Sequence, residues 1–157
     1  MPNRPDPTRV VADGDVLAAD LLVGGQARAA LDHVRRHSWV DLVVSEPLLT
    51  ATERLVTDLA DSDLAAAHRA QLEADAICVS HPEEDYPALA AAYRGRAAHL
   101  LAFNPQLQSA KTGVQLQSRV AVSVRSPDAF AHLFDPESLY EAVVGGSYPG
   151  PDCDPRA

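Results

Sequence analysis

Six side chains in this sequence could do chemistry as a group: Asp13, Asp15, Glu46, Glu53, Asp85 and Asn104. Hard divalent cations such as Mg²⁺ and Mn²⁺ take oxygen ligands of this kind. Carboxylates can crowd at such a site because the ion offsets their repulsion. One or two such ions can activate water for phosphodiester cleavage. For any one acid in a chain with fifteen Asp, a helix cap or a solvated charge is the plainer reading. Asp13 stands apart because it directly follows the apolar run Val10-Val11-Ala12.

The elements that must position these residues are legible as alternating patterns. Short apolar runs at 9–12, 39–45, 76–80, 98–103 and 120–124 read as buried strands. Between them, residues spaced at i, i+3, i+4 and i+7 mark helices. Ala27, Ala30, Leu31 and Val34 share one face, and Leu48, Leu49, Thr52, Leu55, Val56 and Leu59 share another. Further helices are expected from Asp15, over 61–73, 86–93 and 105–110, and after the Ser126-Pro127 cap, with a last one over 136–144. This alternation predicts an α/β fold: a three-layer α/β/α sandwich around a parallel sheet of 4–5 strands. Working residues of such sheets sit beyond the C-terminal strand ends. That rule selects Asp13 and Asp15, then Ser45 and Glu46, then Asn104. The expected domain spans 9–144, with 1–8 and 145–157 as flexible termini.

Length and composition bound the rest. A chain of 157 residues with 46% hydrophobic and 22% charged residues suits one globular domain. No apolar run is long enough for a membrane span. The N-terminus, MPNRPDPTRV, has no secretory h-region. Cys78 and Cys153 stand far apart, so a reduced, cytoplasmic setting is expected. The formal charge is −9, and Lys111 is the one lysine among 13 basic residues. An acidic, lysine-poor, Ala-rich chain suggests a halophilic archaeon; a GC-rich genome is the other source of that bias. In molar salt the Debye length is roughly 3 Å or less, so a missing basic patch argues less against nucleic acid.

Four stretches in order resemble PIN-domain ribonucleases. They are VVADGDVLAADLL (10–22), LVVSEPLL (42–49), DYPALAAAYRGRAAHLLAFN (85–104) and VAVSVRSPDAFAHLF (120–134). The resemblance implies a PIN-like, Mg²⁺- or Mn²⁺-dependent endoribonuclease acting on single-stranded RNA. It places Asp13 on the first metal-binding aspartate and Asp15 on its polar partner. Asp85 falls on the later catalytic aspartate, and Asn104 stands where the closing aspartate is usual. It also implies a homodimer or a protein partner.

Two departures point to a degenerate site with weakened or lost catalysis. The usual helical Glu is Ala51 here. Glu53 lies two residues on, turned by roughly 200°, and Glu46 at the strand end is the other candidate replacement. A non-catalytic PIN-like scaffold binding RNA or protein is therefore the alternative. A lesser one is a haloacid-dehalogenase-type phosphatase, with Asp13 as nucleophile, Asp15 as general acid and Ser45 and Lys111 in support. The remaining candidates are plainer. His33 and His37 form an i, i+4 pair read as exposed helix histidines. Ser109 to Gly113 with Arg119 and Arg125 reads as a solvated loop that could meet phosphates. His81 and His99 flank the expected site in sequence.

Overall fold

A computed structural model describes residues 5–83, 86–104, 107 and 122–156 of the chain. Five parallel strands form one sheet in the order β3-β2-β1-β4-β5. They are β1 (Asp6–Ala12), β2 (Asp41–Ser45), β3 (Ile77–Val79), β4 (Ala97–Leu101) and β5 (Ser123–Arg125). The helices are α1 (Gly14–Leu22), α2 (Gly25–Arg35), α3 (Glu46–Leu59), α4 (Ser62–Asp75), α5 (Pro87–Arg94), α6 (Pro127–Leu133) and α7 (Pro136–Val143). The architecture is the expected three-layer α/β/α sandwich. The inner strands read as continuous apolar runs because helices cover both faces: Val10, Val11, Ala12, Val43, Val44, Leu100 and Leu101 are wholly buried.

The chain leaves the central strand in one direction, through β2 and β3, and returns through α5 to the other side, through β4 and β5. Such a reversal leaves a crevice at the carboxyl ends of the two central strands. Here that crevice lies between β1 and β4, whose register pairs Ala12 with Leu101. The next residue on β1 is Asp13. Two glycines permit close packing in this frame, Gly14 beside Asp13 and Gly95 ahead of β4. Gly14 lies against Thr52 of α3, where an added Cβ would come within 3.2 Å of Oγ1. Gly95 closes α5 onto β2, where a Cβ would stand 2.6 Å from Val43 Cγ1.

Both ends depart from the expected boundaries at 9 and 144. The sheet begins at Asp6, whose N–H donates to Arg96 O at 2.6 Å. Asp6 in turn accepts from Thr8, and Thr8 is buried. The C-terminal segment, expected to be loose, is tied to the turn after α2. Tyr148 OH meets His37 Nε2 at 2.6 Å, and Ser38 N–H donates to Asp152 Oδ1 at 2.8 Å. Asp152 and Cys153 N–H groups donate to Arg36 O, and Arg156 pairs with Asp32 at 2.7 Å. His37 is thus buried, not an exposed helix histidine, and its Nδ1 donates to His33 O. That carbonyl contact leaves Nε2 to accept from Tyr148. Residues 105, 106 and 108–121, which include most of the helix expected over 105–110, all of the basic stretch with Lys111 and Arg119, and the start of the strand expected over 120–124, lie outside the described residues.

Candidate functional site

Asp13 caps α1 at the point where β1 ends. Its carboxylate accepts from Gly14 N–H at 2.9 Å, and its own N–H donates to Leu101 O at 2.9 Å. The cap expected at Asp15 is therefore Asp13. Asp15 lies in the first turn, where a carboxylate suits the positive end of the helix dipole. Even so, both acids are pushed above the ordinary carboxylate range. Burial raises Asp13, against the lowering effect of the Gly14 N–H. Burial also raises Asp15, and the charge on Asp13 raises it further. The N–H groups of Val16 and Phe103 pull Asp15 down in part. Asp15 Oδ1 is buried with no hydrogen-bond partner among the described residues.

Asn104 stands one residue beyond Phe103, whose N–H meets Asp15, so it shares this edge of the sheet. Glu46 and Glu53 do not join it. Both turn to Arg69 of α4. Glu46 Oε1 is in close contact with Arg69 Nη2, and Glu53 Oε1 lies 2.9 Å from Nη1. Glu73 completes the cluster at 3.7 Å. On α3 the stripe of Glu46, Thr50 and Glu53 stands roughly 100–160° around the helix from Thr52, which faces Gly14. The replacement acid expected from Glu46 or Glu53 is thus committed to joining two helices. Asp85 lies outside the described residues. Among the described residues, no group of three or more His, Cys, Asp or Glu side chains is placed to hold one metal ion.

A contact not foreseen from the sequence borders the site. Ser45 ends β2 and, by continuation of the β1–β2 register, stands beside Asp13. It caps α3 through Leu48 N–H at 3.3 Å and is wholly buried. His81 Nε2 lies 2.7 Å from Ser45 Oγ, and His81 Nδ1 lies 2.6 Å from Pro82 O. A carbonyl can only accept, so Nδ1 carries the proton. In the neutral ring Nε2 then accepts from the Ser45 hydroxyl. The pair joins residues 36 apart, and no local pattern announces it. His99, the other flanking histidine, is instead packed edge-on against Phe130, and burial lowers its pKa.

A family model of unknown function, DUF7384, matches residues 4–156. The chain belongs to the DUF7384 family. The match spans the early start of β1 and the tethered C-terminal segment, so both lie within the DUF7384 unit. No curated protein and no solved structure matches the chain.

Proposed function

We propose that this DUF7384 protein is a PIN-like domain whose sheet edge takes Mg²⁺ or Mn²⁺ and acts, weakly, as an endoribonuclease on single-stranded RNA. One observation supports this most: two carboxylates crowd the switch-point crevice, each held above its ordinary pKa, and one buried oxygen is unpartnered. A divalent cation is the group that relieves such an arrangement. Asp13 and Asp15 would be its ligands, and Asn104 and Asp85 would complete the set. The ion would supply a polarised water for attack at phosphorus. The chain's own part is to hold Asp13 on the Gly14 N–H and to keep Asp15 beside it in the first turn of α1, at the same sheet edge. The RNA substrate rests on the motif resemblance alone. A cytoplasmic setting, molar salt and a homodimeric or protein partner fit the composition and the same resemblance.

The second reading is a scaffold without catalysis that binds RNA or protein. The locking of Glu46 and Glu53 onto Arg69 favours it, since it removes both replacement acids from the site.

A Mn²⁺ titration in molar KCl, read by thermal shift, separates these readings. Ligand binding stabilises by RT ln(1 + [L]/Kd), so sub-millimolar affinity is visible at a few millimolar ion. The enzyme reading expects a rise in Tm that Asp13→Asn abolishes, together with RNA cleavage lost in the same variant. No shift in either protein overturns the metal site and leaves the scaffold.

A further inference from the structure

A cleft of about 760 Å³ opens at the other end of the sheet, away from Asp13. That volume lies within the range of roughly 300–1,000 Å³ usual for small-molecule sites. Asp41 and Leu42, at the start of β2, form part of its wall, and the segment 153–156 forms another part. The last turns of α1, α2 and α4 converge on it. Helix C-termini present unpaired carbonyls and the negative end of the dipole. The chain answers this field with guanidinium groups. Arg28 donates to Asp20 O at 2.7 Å and to Leu21 O at 3.3 Å. Arg35 pairs with Asp20 and with Asp32, and Arg156 pairs with Asp32.

Three carboxylates remain at the cleft after this pairing: Asp41, Asp75 and Asp154, the last accepting from the Arg156 N–H at 2.9 Å. Asp41 is half-buried and has no hydrogen-bond or ionic partner among the described residues. Its cross-strand neighbour Arg9 turns away, to Gly95 O at 3.0 Å and Asp6 at 3.8 Å. Asp75 accepts from the Gln71 amide and, among the described residues, from no cation. The imidazole of His68 lines the same cleft, and burial disfavours its charged form, so it offers an acceptor. Leu31, Leu42 and Leu72 supply apolar wall.

We propose that this cleft binds a small organic cation. An amidinium, guanidinium or ammonium group would meet Asp41 and Asp75, and an apolar body would lie against Leu31, Leu42 and Leu72. The site is separate from the sheet edge that carries Asp13 and does not depend on metal chemistry there. Its carboxylates are partly exposed, so salt weakens the interaction without abolishing it.

Benzamidine, benzamide and benzoate test this, since they share size and ring but differ in charge. Amide chemical shifts of the full chain are followed during titration in low and in molar KCl. Benzamidine is expected to saturate and to perturb the start of β2, the end of α4 and residues 153–156. The neutral and anionic analogues are expected to perturb them little. The double variant Asp41→Asn/Asp75→Asn is expected to weaken benzamidine at least about tenfold. Gln71→Arg, which adds a resident guanidinium beside Asp75 without disturbing a buried residue, is expected to compete in the same way. Asp13→Asn is expected to leave binding unchanged. The proposal fails if benzamide or benzoate saturates as tightly as benzamidine, if benzamidine does not saturate, or if the double variant keeps the affinity of the native chain.

Discussion

Asp13 and Asp15 are costly to the folded state when both are ionised. A carboxyl whose pKa rises above 3.8 on folding holds its proton more tightly in the native state. Stability then falls as pH rises from about 3.8 through the raised folded values, and the full cost remains at neutral pH. Asp13→Asn keeps an N-capping side chain and removes both the buried charge and its repulsion of Asp15. This variant is expected to melt roughly 2–4 °C higher than the native chain at neutral pH without metal. The gain should vanish near pH 3. A lower Tm in metal-free buffer would contradict the burial argument. Asp13 could be singled out from sequence because an acid right after a wholly apolar triplet must sit at a strand end. Glu46 and Glu53 misled because spacing along α3 reports which face a residue takes, not who waits there. Their partner, Arg69, lies on the next helix, 23 and 16 residues away. The Ser45–His81 contact was hidden for the same reason.

The strands and helices followed their local signals closely, because burial on both faces leaves continuous apolar runs and helical faces leave periodic ones. The C-terminal segment did not. Its Gly and Pro content reads as loose chain, yet Tyr148, Asp152 and Arg156 hold it through contacts 111, 114 and 124 residues distant. Composition reports the absence of regular structure, not the absence of anchors. Removing residues 147–157 would leave His37 Nε2, buried, without its partner, and Ser38 N–H without its carboxylate. A buried orphan such as His37 Nε2 costs about 1–3 kcal/mol, whereas the exposed Ser38 N–H turns to water. The truncated chain is expected to lose about that much stability in urea unfolding. Trp39, the one tryptophan of the chain, packs against His37 and Tyr140 and gives a second readout. Its emission should shift to the red as the cluster loosens. An unchanged midpoint and spectrum would show that the tethers contribute nothing in solution.

Across the whole molecule, three histidines make folding sensitive to mild acid. Burial lowers the pKa values of His33, His68 and His99 from 6.5. Arg125 adds to the effect at His99, and Arg36 and His37 add to it at His33. The unfolded chain then binds more protons than the native one below about pH 6.5. Stability is expected to be level above that pH and to decline as pH falls through the window between 6.5 and the lowered native values. Asp13 and Asp15, with their raised pKa values, act in the opposite sense in the range above 3.8, so the decline should be partly recovered there. Urea midpoints at constant KCl across this range check both signs, and a midpoint that rises on going from pH 7 to pH 6 would refute the histidine assignment. The strand order has a consequence of another kind, for the chain as it is being made. Of these five strands the earliest in the chain is the middle of the finished sheet, and its neighbour on one side is encoded far downstream: Arg9 meets Gly95 across 86 residues. At roughly 5–20 residues per second, that neighbour arrives on the order of 4–17 s later. For that interval Val10 and Val11 present an open apolar edge to every other nascent chain nearby. Translation speed, and whatever shields that edge until β4 emerges, therefore bear on the yield of native protein as directly as any contact within it.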